Sequence, residues 1–335
     1  MTPAHRATII DVAARAGVSR QTVSRAMNDL PGISAATRDR VLEAAEELNY
    51  RPSRFGRGLV EQGPVTLGLV VDDLSNAYFA ELGASVVRTC APHGWNVVLA
   101  EAANAPRPEA VVADLARRVD AVVGYGVLTG VIPGGAGMPV VQLDGRPDQL
   151  DEVGIVELVR RPAMEALAAH LAEVGVRRPL VLDLDGGPVA DRCLQLADAL
   201  SQLGDARDGS APGDASGIPI RSVDPRDGHR EFLQQVLADG ADALIAFNDV
   251  LAVRLLRALR ELDVAVPERL RLVGVDGLEI SALVTPQLTT LAIDIDEIAR
   301  CTVELVAGML DGSVPLRGPE ARREVPYRLE VRDSA

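Results

Sequence analysis

Residues Thr8–Asn28 read TIIDVAARAGVSRQTVSRAMN, and this stretch predicts two short helices joined by a tight turn. Ile9, Val12, Ala13 and Ala16 fall at i, i+3, i+4 and i+7, which gives the first helix one apolar face. Thr8 is placed to cap that helix, and Asp11 sits where an acid favours the positive end of the helix dipole. Gly17 ends it, because a left-handed residue at a helix C-terminus is cheap only for glycine. Ser19 is placed to cap a second helix that buries Val23 and Met27 and turns Arg20, Gln21, Thr22, Ser24 and Arg25 outward. Arg and Gln are the side chains that read guanine and adenine edges in the major groove. A helix-turn-helix is therefore expected, the alternative being a small helical hairpin with a solvated polar face. Ser34 opens a third helix whose stripe of Val41, Leu42, Ala45 and Leu48 closes a core over the other two.

Charge is distributed unevenly. Over residues 1–60 nine Arg face six acids, a net of +3, so the formal −14 of the whole chain leaves −17 on the remaining residues. A basic head on an acidic body suits one module that meets phosphate and another that DNA repels. The 335 residues and 47% hydrophobic content predict two or three domains with ample core. Cys90, Cys193 and Cys301 lack metal-like spacing and are expected as small buried side chains, with no metal and no cofactor. No signal peptide or membrane-length apolar run is evident, so a cytoplasmic protein is expected.

Pro52 ends the third helix region. The stretch that follows, SRFGRGLVEQG, reads as a linker, and Gly56 and Gly58 each disfavour helix by roughly 1 kcal/mol relative to Ala. From Val65 onward, strand-like runs alternate with amphipathic helices, the pattern of parallel α/β sheets. Strands are expected at 65–71, 95–100, 119–124, 139–143, 180–184, 218–223, 243–247 and 272–275. Helices are expected at 77–91, 109–118, 162–174, 191–203, 227–238 and 249–262, with a mobile loop at 204–217. Two doubly wound sub-domains account for the length. Polar residues gather at the expected strand ends, where such sheets bind ligands: Asp72, Asp73, Asn248, Asp249 and Asp276, with Arg192 opening a helix. These residues either grip a small polar molecule or serve as helix caps and ion pairs.

Head, linker and body together resemble the lactose-repressor (LacI/GalR) family of bacterial transcription regulators over essentially the whole chain. The pieces that carry the resemblance are the opening stretch, TRDRVLEAAEELNYRPS, LGLVVDDLSNAYFAEL, FNDVLAVRLLRAL, LVGVDGLE, PQLTTL and RLEVRDSA. The resemblance implies an all-α helix-turn-helix head (1–50), a hinge (51–63) and an α/β body (64–335). That body comprises two doubly wound parallel-sheet sub-domains of periplasmic-binding-protein type, at about 64–158 with 291–318 and about 159–290 with 319–335. Arg20, Gln21 and Arg25 would lie in the major groove of double-stranded DNA at a palindromic operator. Thr8, Ser19, Thr22, Ser24 and Asn28 would approach phosphates. Leu59 matches the hinge leucine that wedges into the minor groove, with Arg57 beside it. A homodimer is implied, as is a small-molecule effector such as a carbohydrate between the sub-domains, held by Arg192, Asn248 and Asp276. Phe79 and Phe247 would form apolar walls near Asp73. The sequence departs from the family at Ser53, where Asn is usual, and at Gly56 and Gly58. It also lacks the Asp often found near Arg161–Pro162 and has Gly175-Val176 where Gly-His is usual. An operator-binding repressor is expected. An enzyme is disfavoured because no nucleophile elbow, phosphate-cradling loop or metal cluster occurs, and a solute carrier because of the basic head.

Overall fold

The computed structural model describes residues 9–27, 31–48, 64–102, 105–125, 137–185, 188–204 and 217–335. The head consists of α1 (Ile9–Ala16), α2 (Arg20–Met27) and α3 (Ala35–Glu47). Gly17 adopts φ +64, and the Val18 N–H reaches back to the Ala13 carbonyl at 3.0 Å, closing α1 with a left-handed cap. The Thr22 N–H donates to Ser19 Oγ at 3.1 Å, and the Thr37 N–H to Ser34 Oγ at 3.2 Å. Valine and alanine fill the core: Val12, Ala13, Ala16, Val23, Ala26, Val41, Ala44 and Ala45 are buried. Two expectations are corrected here. Met27 is only half-buried because Ala26 takes the inner position of α2, and Leu42 is exposed because Ala44 completes the stripe that starts at Val41. The hinge at 51–63 and most of the 204–217 loop lie outside the described residues.

Contacts divide the chain into two compact units, Met1–Leu74 with Gly83–Glu157 and Ala299–Arg323, and Ser75–Leu82 with Leu158–Ile298 and Glu324–Ala335. The first unit carries β1 (Thr66–Val71), β2 (Asn96–Glu101), β3 (Ala121–Gly124), β4 (Val140–Leu143) and most of β5 (Gly154–Val159). They form a parallel sheet in the order β2-β1-β3-β4-β5. The long α4 (Ala77–Cys90) begins within the segment that clusters with the second unit, and α5 (Pro108–Ala116) packs on the sheet of the first. Val70, Val112, Leu115, Val122 and Val140 are among the buried side chains there.

The second unit alternates α6 (Arg161–Glu173), β6 (Pro179–Leu184), α7 (Asp191–Gly204), β7 (Ile220–Val223), α8 (His229–Ala238), β8 (Ala243–Ile245), α9 (Asp249–Glu261) and β9 (Arg271–Asp276). After the short α10 (Glu279–Leu283) come β10 (Thr289–Ile293), α11 (Ile295–Asp311) and β11 (Arg322–Glu330). The strands run β7-β6-β8-β9-β10 in parallel, with β11 antiparallel on β10. The order reverses between β6 and β8, which creates a crevice at the carboxyl ends of those strands. Leu182, Leu233, Leu244, Leu255, Leu259 and Leu272 are fully buried between sheet and helices.

Beyond the strands and helices expected from the sequence, the body contains β5, β10, α11 and β11. β10 belongs to the second unit, and after it the chain passes to the first unit inside α11, after Ile298.

Gly124 ends β3 where a Cβ would meet the Val70 carbonyl oxygen at 2.4 Å, a backbone atom that cannot move aside. Gly94 has φ +66 and open space around it. Gly124→Ala should therefore cost about 3 kcal/mol by overpacking, against about 1 kcal/mol of left-handed strain for Gly94→Ala. Urea midpoints of the full chain check this, and equal shifts would refute the steric argument.

Candidate functional site

In the head, Arg20, Gln21 and Arg25 are exposed on α2, while Thr22 and Ser24 are half-buried beside them and Ser19 is exposed at its start. The hydroxyls of Ser19 and Thr22 lie 2.9 Å apart at the helix N-terminus, where backbone N–H groups favour an anion. Arg25 does not extend freely: its Nε and Nη2 both donate to the Pro31 carbonyl, at 3.2 and 2.6 Å. Arg40 Nε donates to the Ala16 carbonyl at 3.1 Å, which ties α3 to the end of α1. Thr8, Asn28, Arg57 and Leu59 lie outside the described residues.

In the second unit, three turns at the carboxyl ends of strands bring Arg192, Phe247, Asn248 and Asp276 into one constellation. After β6, the Asp183 carboxylate accepts from Leu184 N and Ala190 N, both at 2.8 Å, and so fixes the turn that launches α7 with Arg192 in its first turn. The Arg192 guanidinium lies over the Phe247 ring, 3.4 Å from its centroid. Its Nη1 is 3.8 Å from Asp276 Oδ1, an ion pair longer than a hydrogen bond, and its buried Nε has no partner. After β8, Asn248 caps α9 by accepting the Leu251 N–H at 2.8 Å through Oδ1, which leaves its amide NH2 without a partner among the described residues.

Asp276, at the end of β9, is 5% exposed and has φ +106. Its carboxylate accepts no hydrogen bond among the described residues. Burial pushes its pKa up to about 7, opposed by the Arg192 charge and aided by Asp249. Gly277 follows at φ +73, where a Cβ would stand 2.4 Å from the Ala292 Cβ. A non-glycine residue at positive φ persists only when its surroundings hold it, and here they do. Asp249 Oδ2 accepts the Leu278 N–H at 2.8 Å and Oδ1 the Thr290 hydroxyl at 2.7 Å. Asp249 is itself fully buried, and burial raises its pKa to about 6 against those hydrogen bonds. Of the two roles weighed for Asp249, ligand contact and structure, the geometry supports structure.

Asp72 and Asp73 follow β1 in the first unit, Asp72 exposed and Asp73 half-buried. Phe79 falls in the Ser75–Leu82 segment that clusters with the second unit, and it packs edge-on to Tyr78 at 5.4 Å. Sequence reasoning missed two neighbours of Asp276. Arg160, whose guanidinium lies 5.3 Å from the Tyr327 ring centroid, favours the charged carboxylate, and Glu81 disfavours it. Nothing local distinguishes Arg160 from Arg161, and only the fold brings it toward Asp276. No described helix is long and apolar enough to cross a membrane, and no metal-binding group of His, Cys, Asp or Glu occurs among the described residues.

These donors and acceptors gather around one aromatic ring, Phe247. Comparison with known proteins bears on the family and fold of head and body. Residues 8–53 match the model of bacterial regulatory proteins of the lacI family, and residues 168–335 that of a periplasmic binding protein-like domain. The chain is 30% identical over 318 residues to the HTH-type transcriptional regulator AscG of Escherichia coli K12, covering 91% of this chain and 92% of that protein. Among solved structures, a LacI family transcriptional regulator from Arthrobacter sp. FB24, in complex with lactose, superposes with a TM-score of 0.71 at 28% identity. It covers 82% of this chain and 100% of that one. The lac repressor dimer bound to operator shares the fold, with a TM-score of 0.67 at 24% identity, over 98% of this chain and 99% of that chain. The chain belongs to the lacI family of bacterial regulatory proteins: it is a DNA-binding transcriptional regulator, not an enzyme, with a helix-turn-helix head and a periplasmic-binding-protein-like effector body.

Proposed function

We propose that this regulator works in the cytoplasm as a homodimer that represses from a palindromic operator and changes its hold on DNA when a hydroxyl-bearing metabolite, a sugar or close relative, occupies the constellation around Asp276. The observation that carries the effector half is the buried Asp276 carboxylate facing an Arg192 whose Nε is unpartnered. Such groups are costly to leave unsatisfied, and a ligand with vicinal hydroxyls supplies both an acceptor for Arg192 and a donor for Asp276. Phe247 gives an apolar wall and Asn248 a free amide, and Phe79 is assigned as a second apolar wall. The lactose in the Arthrobacter regulator supports this class of ligand.

For DNA, Arg20, Gln21 and Arg25 read bases, while Ser19, Thr22 and Ser24 with Thr8 and Asn28 meet phosphates. Arg57 and Leu59 act in the minor groove. The boundaries that go with this reading are a head at 1–50, a hinge at 51–63 and a body at 64–335. The operator responds to effector only if the two states of the protein bind effector with different affinity.

A second copy has apolar surface to cover. Edge strand β2 leaves Val98 and Leu99 at 42% and 40% exposure, with Val87 of α4 at 47%, and α10 leaves Leu283 at 72%. An edge strand that exposes apolar side chains favours association.

Selection of random-sequence duplexes by the full chain, followed by gel shift with a panel of sugars and sugar acids, tests the whole reading. Failure to enrich a palindrome would sink it. Leu99→Asp should shift the protein toward monomer in sedimentation and weaken operator binding with it; an unchanged dimer would remove β2 from the interface. Asp276→Asn should weaken effector binding by about tenfold or more through loss of a charged acceptor, with operator affinity in the absence of effector kept, as calorimetry and gel shift would report.

The Asp276 carboxyl also predicts a pH dependence. Its pKa rises from the ordinary 3.8 to about 7. The ligand-free fold is thus favoured by protonation, fully so at low pH, and loses that contribution as pH climbs through 7. Ligand hydroxyls that donate to the carboxylate need it ionised, so effector affinity should fall about tenfold from about pH 8 to about pH 6. A flat profile in calorimetric titrations would exclude Asp276 as an ionised acceptor.

A further inference from the structure

We propose that the turn after α2, through the Pro31 carbonyl and the missing side chain of Gly32, is a positioning element that presets the Arg25 guanidinium for guanine. This rests on the reading of α2 as the base-contacting helix. Arg25 is exposed, yet two of its N–H groups converge on one carbonyl oxygen, Nε at 3.2 Å and Nη2 at 2.6 Å. The guanidinium has five N–H donors in a rigid plane. With the Nε edge spent on Pro31, the end of the fork, Nη1 and the second Nη2 proton, remains for an external acceptor pair. That end-on pair fits the O6 and N7 acceptors of guanine.

The turn is built to leave that guanidinium in place. Pro31 has a fixed φ, which stiffens the turn that carries this carbonyl. Gly32 stands at φ +100, and a Cβ there would lie 3.2 Å from Arg25 Nη2 and 3.8 Å from both Cζ and Nε. Any side chain at this position pushes against the guanidinium itself. On the far side Ile33 packs against the head core and Ser34 caps α3, so the turn is anchored. A long, rotamer-rich side chain is thereby ordered before DNA arrives, which removes part of the entropy lost on binding.

The test uses the full chain and its selected operator, with each guanine of the half-site replaced in turn by 7-deazaguanine, which lacks the N7 acceptor. The natural protein should lose about tenfold or more in affinity at one guanine, and Arg25→Ala should show no loss at that guanine. Gly32→Ala should bind the natural operator about fivefold more weakly and be much less sensitive to the deaza substitution. Loop strain alone would weaken binding to both operators equally, so full deaza sensitivity in Gly32→Ala overturns the positioning role. Repeating Gly32→Ala in the Arg25→Lys background separates the two further, since an ammonium has no planar fork to preset. An equal loss there also overturns the proposal. If no guanine shows Arg25-dependent sensitivity, base reading by Arg25 itself fails, and the positioning role fails with it.

Discussion

A carboxylate taken out of water must find donors or take a proton, and Asp249 does part of each. It accepts from Leu278 N and the Thr290 hydroxyl, and its pKa still rises to about 6. Through these bonds it ties the start of α9 to the turn after β9 and to β10. Gly274 beneath it has no room for a side chain, because a Cβ would stand 2.0 Å from Asp249 Oδ1. Asp276 keeps φ +106 because the residues after it are held in this way. Removing one partner of such a buried network leaves the others unsatisfied, so the placement of Asp276 and the stability of the second unit depend on the same group.

The head solves a smaller problem by a different route. Its core consists of valine and alanine, which lets three short helices approach closely around few buried atoms. Local capping then specifies where each helix begins and ends, through Ser19, Ser34 and Gly17. Side chains left over from packing and capping are the ones available to DNA. Arg25, exposed on α2, also organises the loop that follows through its two hydrogen bonds to the Pro31 carbonyl.

Much of this was legible in the sequence where the pattern is local. Helix caps, the Gly17 stop and the alternation from β6 to β9 follow from spacing and chemistry that a reader of the chain can see. The strands that were missed have reasons for escaping notice. In β10, Thr289 and Thr290 are fully buried and bonded to Ser334 and Asp249, so buried positions carry polar names. In β11, charges alternate with Val325 and Tyr327 around Pro326, a residue that argues against an interior strand. The polar residues at the strand ends are legible one by one. Spacing does not reveal the difference between the two buried aspartates, Asp249 bonded to Leu278 N and the Thr290 hydroxyl and Asp276 facing Arg192, nor the pull of Arg160 on Asp276 from the start of α6.

The four residues of the second unit's constellation come from three separate turns, after β6, β8 and β9, while a fifth residue, Asp249, ties the turn after β8 to the turn after β9. Under the proposed effector role, ligand contact and scaffold integrity fall to different residues. A change at Arg192 or Phe247 leaves the Asp249 hydrogen bonds to Leu278 N and the Thr290 hydroxyl in place, whereas a change at Asp249 disturbs the turns after β8 and β9 together. The contact residues can therefore be exchanged while the bonds that hold the second unit together persist.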